Sequence, residues 1–486
     1  MTVLELLVEG PDGMTAAPPA WEACLGKPGG LVTVLESFRR DCVRAELIPA
    51  CAGSADHAPW CGPEPAAQTE GTLVDIIAEA ERLKHALAAL QARATDVLRS
   101  LREEAAGHDR KARADAVRSV GAEVGLARRE SPWWGDRRVA LAAVLPAEMP
   151  ETWAHFLRGD ITERVAQELL AETSCLTHDD RAEVDRRLSA VLPTLTLRQV
   201  AAQAKRISAE LDAASVVARI AAAVACRRVS VRPAPNGMAY LTVLGPLQQV
   251  IGAHAALARH AAQVCGGLTD VDPGDRTPGQ VAADTALELL AGRASGEPQP
   301  VAIHLVMTDR ALLGTGDPAR STEEPAWLPG HGMLPTAAAR AWVSDPEARV
   351  WLQRLYTHPD TGDLVAMESA QRVFAGHLRQ MVLLRDDHRC VTPWCDAPAR
   401  HVDHTVRHTD GGATSYENGA ALCERCNYTR ETPGWVITKD PTGPPGSRIT
   451  RTPTGATYSR TWITDVNDPS GWVDRSPSRS PVSGAR

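Results

Sequence analysis

Lysine is scarce: five residues stand beside 47 arginines in a chain of 486. With the abundance of alanine and proline, this reads as GC-rich coding bias. Aromatic residues are only 4%, so any core has to be aliphatic. There is no excess of positive charge. The formal net charge is −8, which excludes a global basic field but leaves room for a local basic groove. No apolar run reaches the roughly 20 residues that span a bilayer, so no transmembrane helix is expected. The segment Met1–Gly10 carries acids where a secretory leader needs a basic start, and the protein reads as cytoplasmic. A disulfide framework is also missing. Eleven cysteines, an odd number in a long chain, point to reduced thiols, and clustered ones become suspects for metal ligation. Hydrophobic residues at 44% and charged ones at 23% exclude a wholly disordered chain. The length has room for roughly two to four domains.

The pattern along the chain changes several times. Residues 1–70 form a variable region rich in Pro, Gly, Ala and Cys, with one short helical stretch near 31–47. Cys24, Cys42, Cys51 and Cys61 stand too far apart for a zinc knuckle and read as buried or free thiols. Residues 71–227 read as a helical domain. In it Leu73, Ile76, Ala80, Leu83, Leu87, Leu90, Ala94, Val97 and Leu101 recur by threes and fours, which predicts a long helix. It is a core helix or, through 73–101, a homodimer contact; the two alanines favour the core. Asp160 is placed to cap a following helix, with Glu163 reaching back. Thr177 begins a further helix through Leu188, and Thr196 is placed to cap another. Residues 228–380 read as α+β: strands at 229–231 and 238–244 around a Pro-Asn-Gly turn, helices near 246–264 and 277–292, and a buried strand at 301–306 holding a core His304. Residues 381–464 form a small module with a following hairpin, and 465–486 a Ser/Pro/Arg-rich disordered tail. The fold class is therefore α+β, mainly helical.

Chemistry concentrates at 385–435. Four cysteines fall within 37 residues as C-x4-C (Cys390, Cys395) and C-x2-C (Cys423, Cys426). Short pairs bring thiolates together through turns, and a tetrahedral Zn²⁺ takes four such ligands. A four-thiolate zinc site is closed, hence structural. Between the pairs, Asp403-His404 sits in a short apolar-flanked segment that reads as a strand, Asp410-Gly411-Gly412 turns, a strand near 420–422 follows, and a helix runs from about Glu424 to Glu431. This is a ββα order. Cys426 and Asn427 lie about 100° apart on that helix, so the cysteine can face zinc while Asn427 faces elsewhere. Asp403 and Asn427 can hold a hard divalent cation, Mg²⁺ or Mn²⁺, through oxygen. His404 can take a proton from an attacking water, and Asn418 can bond across the loop to fix the imidazole. Consecutive strand residues point to opposite faces, so Asp403 and His404 share a site only at a strand end or bulge.

This stretch closely resembles the HNH endonuclease ββα-metal module, also called the His-Me finger. The D-H pair, Asn418 fourteen residues after His404 and Asn427 nine further on match its His-Asn-Asn variant. The rest of the chain is similar to the actinobacterial 13E12-repeat HNH proteins, with their N-terminal domain of unknown function. The similarity is carried by Arg158–Glu163, Arg276–Ala286 and Pro359–Gly362. The resemblance implies a DNA phosphodiester hydrolase with His404 as general base, Asp403 and Asn427 as catalytic-metal ligands, Asn418 as orienting residue and the four cysteines on zinc. Two departures stand out. Cys426-Asn427 replaces the His pair of many relatives, and Trp394 stands where glycine is usual. His401 and His408 flank the site and read as exposed strand or turn residues. Within 381–440 there are seven Lys and Arg against nine Asp and Glu, a thin electrostatic footprint for a DNA partner. Arg407 and Arg430 are the candidate phosphate contacts, with Arg448, Arg451 and Arg460 of the hairpin as further sources of charge. The competing reading is a catalytically silent, zinc-stabilised nucleic-acid or protein-interaction module.

Overall fold

The structure, a computed structural model, describes residues 70–292, 325–329, 332–344, 368–369, 372–442 and 447–460. The stretch 31–47, the four early cysteines, the 301–306 strand with His304 and the tail lie outside the described residues.

The first part is helical: α1 (Glu70–Ala105), α2 (Arg110–Ala127), α3 (Pro132–Glu148), α4 (Pro150–Arg158), α5 (Glu163–Glu172), α6 (His178–Leu188), α7 (Leu197–Leu211) and α8 (Ala213–Val224). Side-chain caps start most of them. Thr177 caps α6, and Thr196 caps α7 with Gln199 completing a capping box. The start of α5 differs from expectation. Thr162 is the cap, accepting from the Val165 N–H at 3.1 Å. Asp160 instead pairs with Arg158 and His155, because the chain turns at Gly159 before the helix begins.

The aliphatic core follows from the shortage of aromatics. Leu141, Leu145, Met149, Leu169, Val184, Leu192, Val200 and Ile207 pack around a single buried Phe156. Helix α1 joins this core, as its core reading requires, but on a rotated face. Leu83, Ala86, Ala89, Ala92 and Thr95 are buried, whereas Leu101 is 54% exposed. Alanines let α1 approach its neighbours closely. At Gly159 (φ 77°) a Cβ would overlap the Arg82 carbonyl, so the α4–α5 turn tolerates only glycine there.

Next come the antiparallel hairpin β1 (Arg228–Pro233) and β2 (Ala239–Leu244), then helices α9 (Leu247–Cys265) and α10 (Pro278–Ala291). Asn236 and Gly237 hold left-handed φ of 62° and 70°, the conformations a two-residue hairpin turn needs. Short elements β3 (Ala326–Leu328), β4 (Gly332–Leu334), α11 (Thr336–Val343) and β5 (Glu368–Ser369) lead to the C-terminal module.

That module comprises α12 (Gly376–Arg385), β6 (His401–His404), β7 (Thr414–Ser415), β8 (Gly419–Leu422), α13 (Glu424–Thr429) and a meander of β9 (Val436–Lys439), β10 (Arg448–Arg451) and β11 (Thr457–Ser459). β6 and β8 pair antiparallel with Asp403 opposite Ala420 and His404 opposite Gly419. β5 pairs with β7, Ser369 opposite Thr414. The ββα order read from the sequence is the one observed.

The module docks on the helical part. Residues 119–126 of α2 are buried on every side, and the two polar ones among them find partners across the interface. Ser119 accepts from Trp435 Nε1 at 2.9 Å. Glu123 accepts from Thr454 at 2.7 Å and from Arg102 at 3.0 Å. Arg425 of α13 grips Asp136 of α3 with two bonds of 2.7 and 2.6 Å and reaches the Arg118 carbonyl at 3.3 Å. A Cβ on Gly121 would overlap Asp136 Oδ1 and press on Arg425 Nη2. Gly121→Val is therefore expected to cost about 1–3 kcal/mol, read as a lower urea midpoint. An unchanged midpoint would mean that the contact is not packed as described.

Candidate active site

The four cysteine sulfurs come together in the core of the module. All four side chains are buried, and their Sγ atoms lie within 4.8 Å of one another. Cys395 Sγ is 3.8 Å from Cys423 Sγ and 3.7 Å from Cys426 Sγ. Tetrahedral Zn–S bonds of about 2.3 Å place sulfurs about 3.8 Å apart, so the cage has the size zinc needs and could hold it. The bonds among the thiols, with Cys390 the largest influence, drive Cys423 down toward the thiolate and push Cys395 and Cys426 up. Four thiolates cannot coexist here without a cation.

Local sequence builds the cage. Cys423 is the N-cap of α13, its sulfur accepting from the Cys426 N–H at 3.4 Å. On the other side Cys395 N–H closes a turn to Thr392 O at 3.0 Å. Trp394 adopts φ 56°, the left-handed conformation glycine favours, which explains why glycine suits that position. Here the strain of an L side chain is offset by its ring meeting Tyr458 edge-on at 5.7 Å.

The second cluster sits at the end of β6. His404 is 6% exposed. Its Nε2 lies 2.9 Å from Thr414 Oγ1, and its Nδ1 lies 3.7 Å from Asp403 Oδ1. The carboxylate folds over the strand end to accept from the His404 N–H at 2.8 Å. That is how two consecutive residues share one site. Phe374 packs on the imidazole at 4.7 Å, and the exposed His408 meets it edge-on at 5.6 Å. Burial holds the imidazole below its ordinary pKa, only partly offset by Asp403, with His408 and Arg430 lowering it further. His404 is thus neutral at neutral pH. His401, at the far end of β6, opposes Leu422 and takes no part in the cluster.

Three expected roles change. Asn418 does cross the loop, but its bonds end on backbone: Oδ1 accepts from Val406 N–H at 2.9 Å, and Nδ2 donates to Val406 O at 3.0 Å and Ala413 O at 2.8 Å. It fixes the 406–413 loop, and Thr414 meets the ring. Gly412 is required beneath this staple, since a Cβ would overlap the Val406 carbonyl. Arg430 is not a surface phosphate contact. It is 6% exposed, donates from Nη2 to the His404 carbonyl at 2.5 Å, and places Nη1 3.5 Å from Asp403 Oδ2. Its guanidinium is held as a brace under the strand end. Arg448 is likewise buried, bonding Thr405 Oγ1 and the carbonyls of Glu417 and Gly419, and burial pulls its pKa down to about 10. Arg460 donates to the Cys390 carbonyl. Arg407 alone of the two candidates remains half exposed, paired with Glu431 at 3.2 Å.

The residue types also suit a hard divalent cation. Asn427, one helical turn before Arg430, has a buried Oδ1 with no hydrogen-bond partner. An orphaned amide oxygen is costly unless something binds it. Asp403 is 36% exposed on its side chain, so its carboxylate is open to an incoming ligand. The signals missed in the sequence were Thr414 and the brace role of Arg430. Thr414 carries no distinguishing neighbour pattern, while Arg430 follows α13 at the spacing that turns it inward beside Asn427.

A zinc-sized thiolate cage beside a D-H strand end and an Asn-bearing helix defines an HNH-type ββα module. Residues 388–432 match the family described as HNH endonuclease. Residues 77–386, more than half of the chain, match the family described as a domain of unknown function, DUF222, and the chain belongs to it. No curated protein and no solved structure matches the chain. The HNH module gives the protein a nuclease-type function in general, with nucleic acid as its implied partner. No helix among the described residues is long and apolar enough to cross a membrane.

Proposed function

We propose that the protein is a metal-dependent endonuclease that hydrolyses phosphodiester bonds in DNA, with zinc in the four-cysteine cage as a structural ion. The observation that carries this reading is the buried neutral imidazole of His404, whose Nδ1 faces the half-open Asp403 carboxylate at a distance too long for a direct hydrogen bond. A water shared by both groups would sit to one side of them, within hydrogen-bond reach of each. Thr414 has a single hydroxyl proton, and its bond to the Arg372 carbonyl at 3.4 Å leaves it to accept from Nε2–H of His404. Nδ1 then carries the lone pair and takes the proton of the attacking water. Asp403 and the unpartnered Asn427 Oδ1 would hold Mg²⁺ or Mn²⁺, which when bound supplies charge neutralisation for the phosphate and the leaving oxygen. Arg430 and Asn418 keep the strand end and loop in place, and Arg407 is the candidate phosphate contact.

The test is nicking of supercoiled plasmid with Mg²⁺ or Mn²⁺, beside Asp403→Ala and a chelator control. Nicking that needs both the cation and Asp403 supports the reading. Strand binding without cleavage by the wild type, or cleavage undiminished in the variant, would instead favour a silent binding module.

A further inference from the structure

We propose a second DNA contact on the helical domain: Trp133, Trp134 and Arg137, at the start of α3, form a base-stacking platform for an unpaired strand. The proposal rests on the nuclease reading for its biological sense but not for its test.

Aromatic side chains are few in this chain, yet two neighbouring tryptophans stand in solvent, 52% and 40% exposed. Leaving indoles outside forgoes the burial that normally places them inside. Their rings meet edge-on, centroids 4.9 Å apart. One turn along, the exposed Arg137 lays its guanidinium over Trp133 at 4.1 Å and lies 5.7 Å from Trp134. Arg138, by contrast, is occupied by Glu130 and Glu163. Arg137 makes no ion pair among the described residues, so its charge is available to a phosphate. Indole faces with a free guanidinium are the side chains that hold single strands.

Position and charge choose the occupant. Asp136, between these tryptophans and Arg137, is the residue that grips Arg425, two residues before Asn427. The platform is therefore tied to the helix that carries the proposed metal ligand. The module itself has seven basic against nine acidic residues in 381–440, whereas 106–140 has eight against five. Four of those eight, Arg113, Arg118, Arg128 and Arg138, are held in ion pairs; Arg137 is among the four that make none among the described residues and can add phosphate attraction beside the module. Stacking needs an open base face, which duplex DNA offers only at ends, gaps and tails. The implied substrate class is DNA with an unpaired stretch adjoining duplex.

The experiment is fluorescence anisotropy on the full-length protein with zinc retained and Mg²⁺ and Mn²⁺ omitted, so that no cleavage occurs. The probes are labelled blunt hairpin DNA and the same hairpin with a single-stranded tail. The wild type is expected to bind the tailed probe at least about tenfold more tightly. Trp133→Ala/Trp134→Ala should lose that preference, in line with base–aromatic stacking, while keeping its affinity for the blunt probe. Trp133→Phe/Trp134→Phe should retain much of it, which guards against a merely misfolded variant. His404→Ala should keep the preference whether or not the wild type cleaves, so a failed nuclease reading and a failed platform are separable. Equal binding of the two probes by the wild type, or an unchanged preference in the alanine variant, overturns the platform. A shift in oligomeric state in that variant with strand binding unchanged also overturns it, assigning the face to a second copy of the chain.

Discussion

Cys423→Ser is expected to unfold the C-terminal module while the helical domain stays folded. The module's main buried cluster holds Leu383, Val391, Ala420, Ala421 and Leu422 beside the four cysteines themselves. Its apolar content besides the cysteines is only two leucines, one valine and two alanines, so the sulfurs and whatever they bind make up much of this cluster. Structural zinc contributes on the order of 10–16 kcal/mol of apparent folding free energy in small modules, comparable to the total stability of an ordinary domain. Replacing Cys423 removes one of four ligands and also the sulfur that caps α13. The helical domain has a separate core built on Leu141, Leu145, Phe156 and Val200 and does not depend on that ion. Metal analysis should find about one zinc per wild-type chain, as a closed site implies, and little in the variant. Limited proteolysis should then cut within 381–460 and spare 77–226. Full zinc in the variant, with 381–460 still resistant, would remove the four-cysteine assignment.

How much of this was legible in the sequence depended on how far apart the partners lie. The cysteine pairs, Asp403-His404 and Asn427 are local patterns whose spacing carries the geometry, and the structure places the sulfurs together and Asp403 beside His404. The ring partner Thr414 is ten residues from His404 and comes into place only because β7 pairs with β5. Nothing in a threonine marks it for that position. The seam of α1 was read from its leucines, but close helix packing selects Ala86, Ala89 and Ala92, whose hydrophobic signal is weak. The Arg425–Asp136 pair joins residues 289 apart, and no single-sequence pattern links them. Arg430 reads as a phosphate contact in the sequence because it lies near the proposed site along the chain. Its position one turn after Asn427, at the C-cap of α13, buries it.

His404→Ala is expected to lower cleavage by about 10²–10⁴-fold, the range for loss of a positioned general base, with zinc content unchanged because the cysteine cage is a separate cluster. The magnitude follows from the tautomer as much as from the ring. In the proposed mechanism the general base needs its lone pair on Nδ1, and Thr414, with its own proton on the Arg372 carbonyl, would hold the ring proton on Nε2. Thr414→Val keeps the shape but removes the acceptor. It leaves a buried N–H unpaired, a penalty of about 1–3 kcal/mol, which the ring can escape by moving its proton to Nδ1. In that tautomer it no longer accepts a proton from the water. Cleavage should therefore fall about tenfold to a hundredfold in Thr414→Val and return in Thr414→Ser, which restores the hydroxyl. The ¹⁵N shifts of the His404 ring report the tautomer directly, in the protein without divalent cation. A wild-type ring protonated on Nδ1 at neutral pH would break the link between Thr414 and the chemistry. Cleavage by His404→Ala within a fewfold of wild type would show that the proton leaves by another group, and the pocket at the end of β6 would lose its catalytic reading.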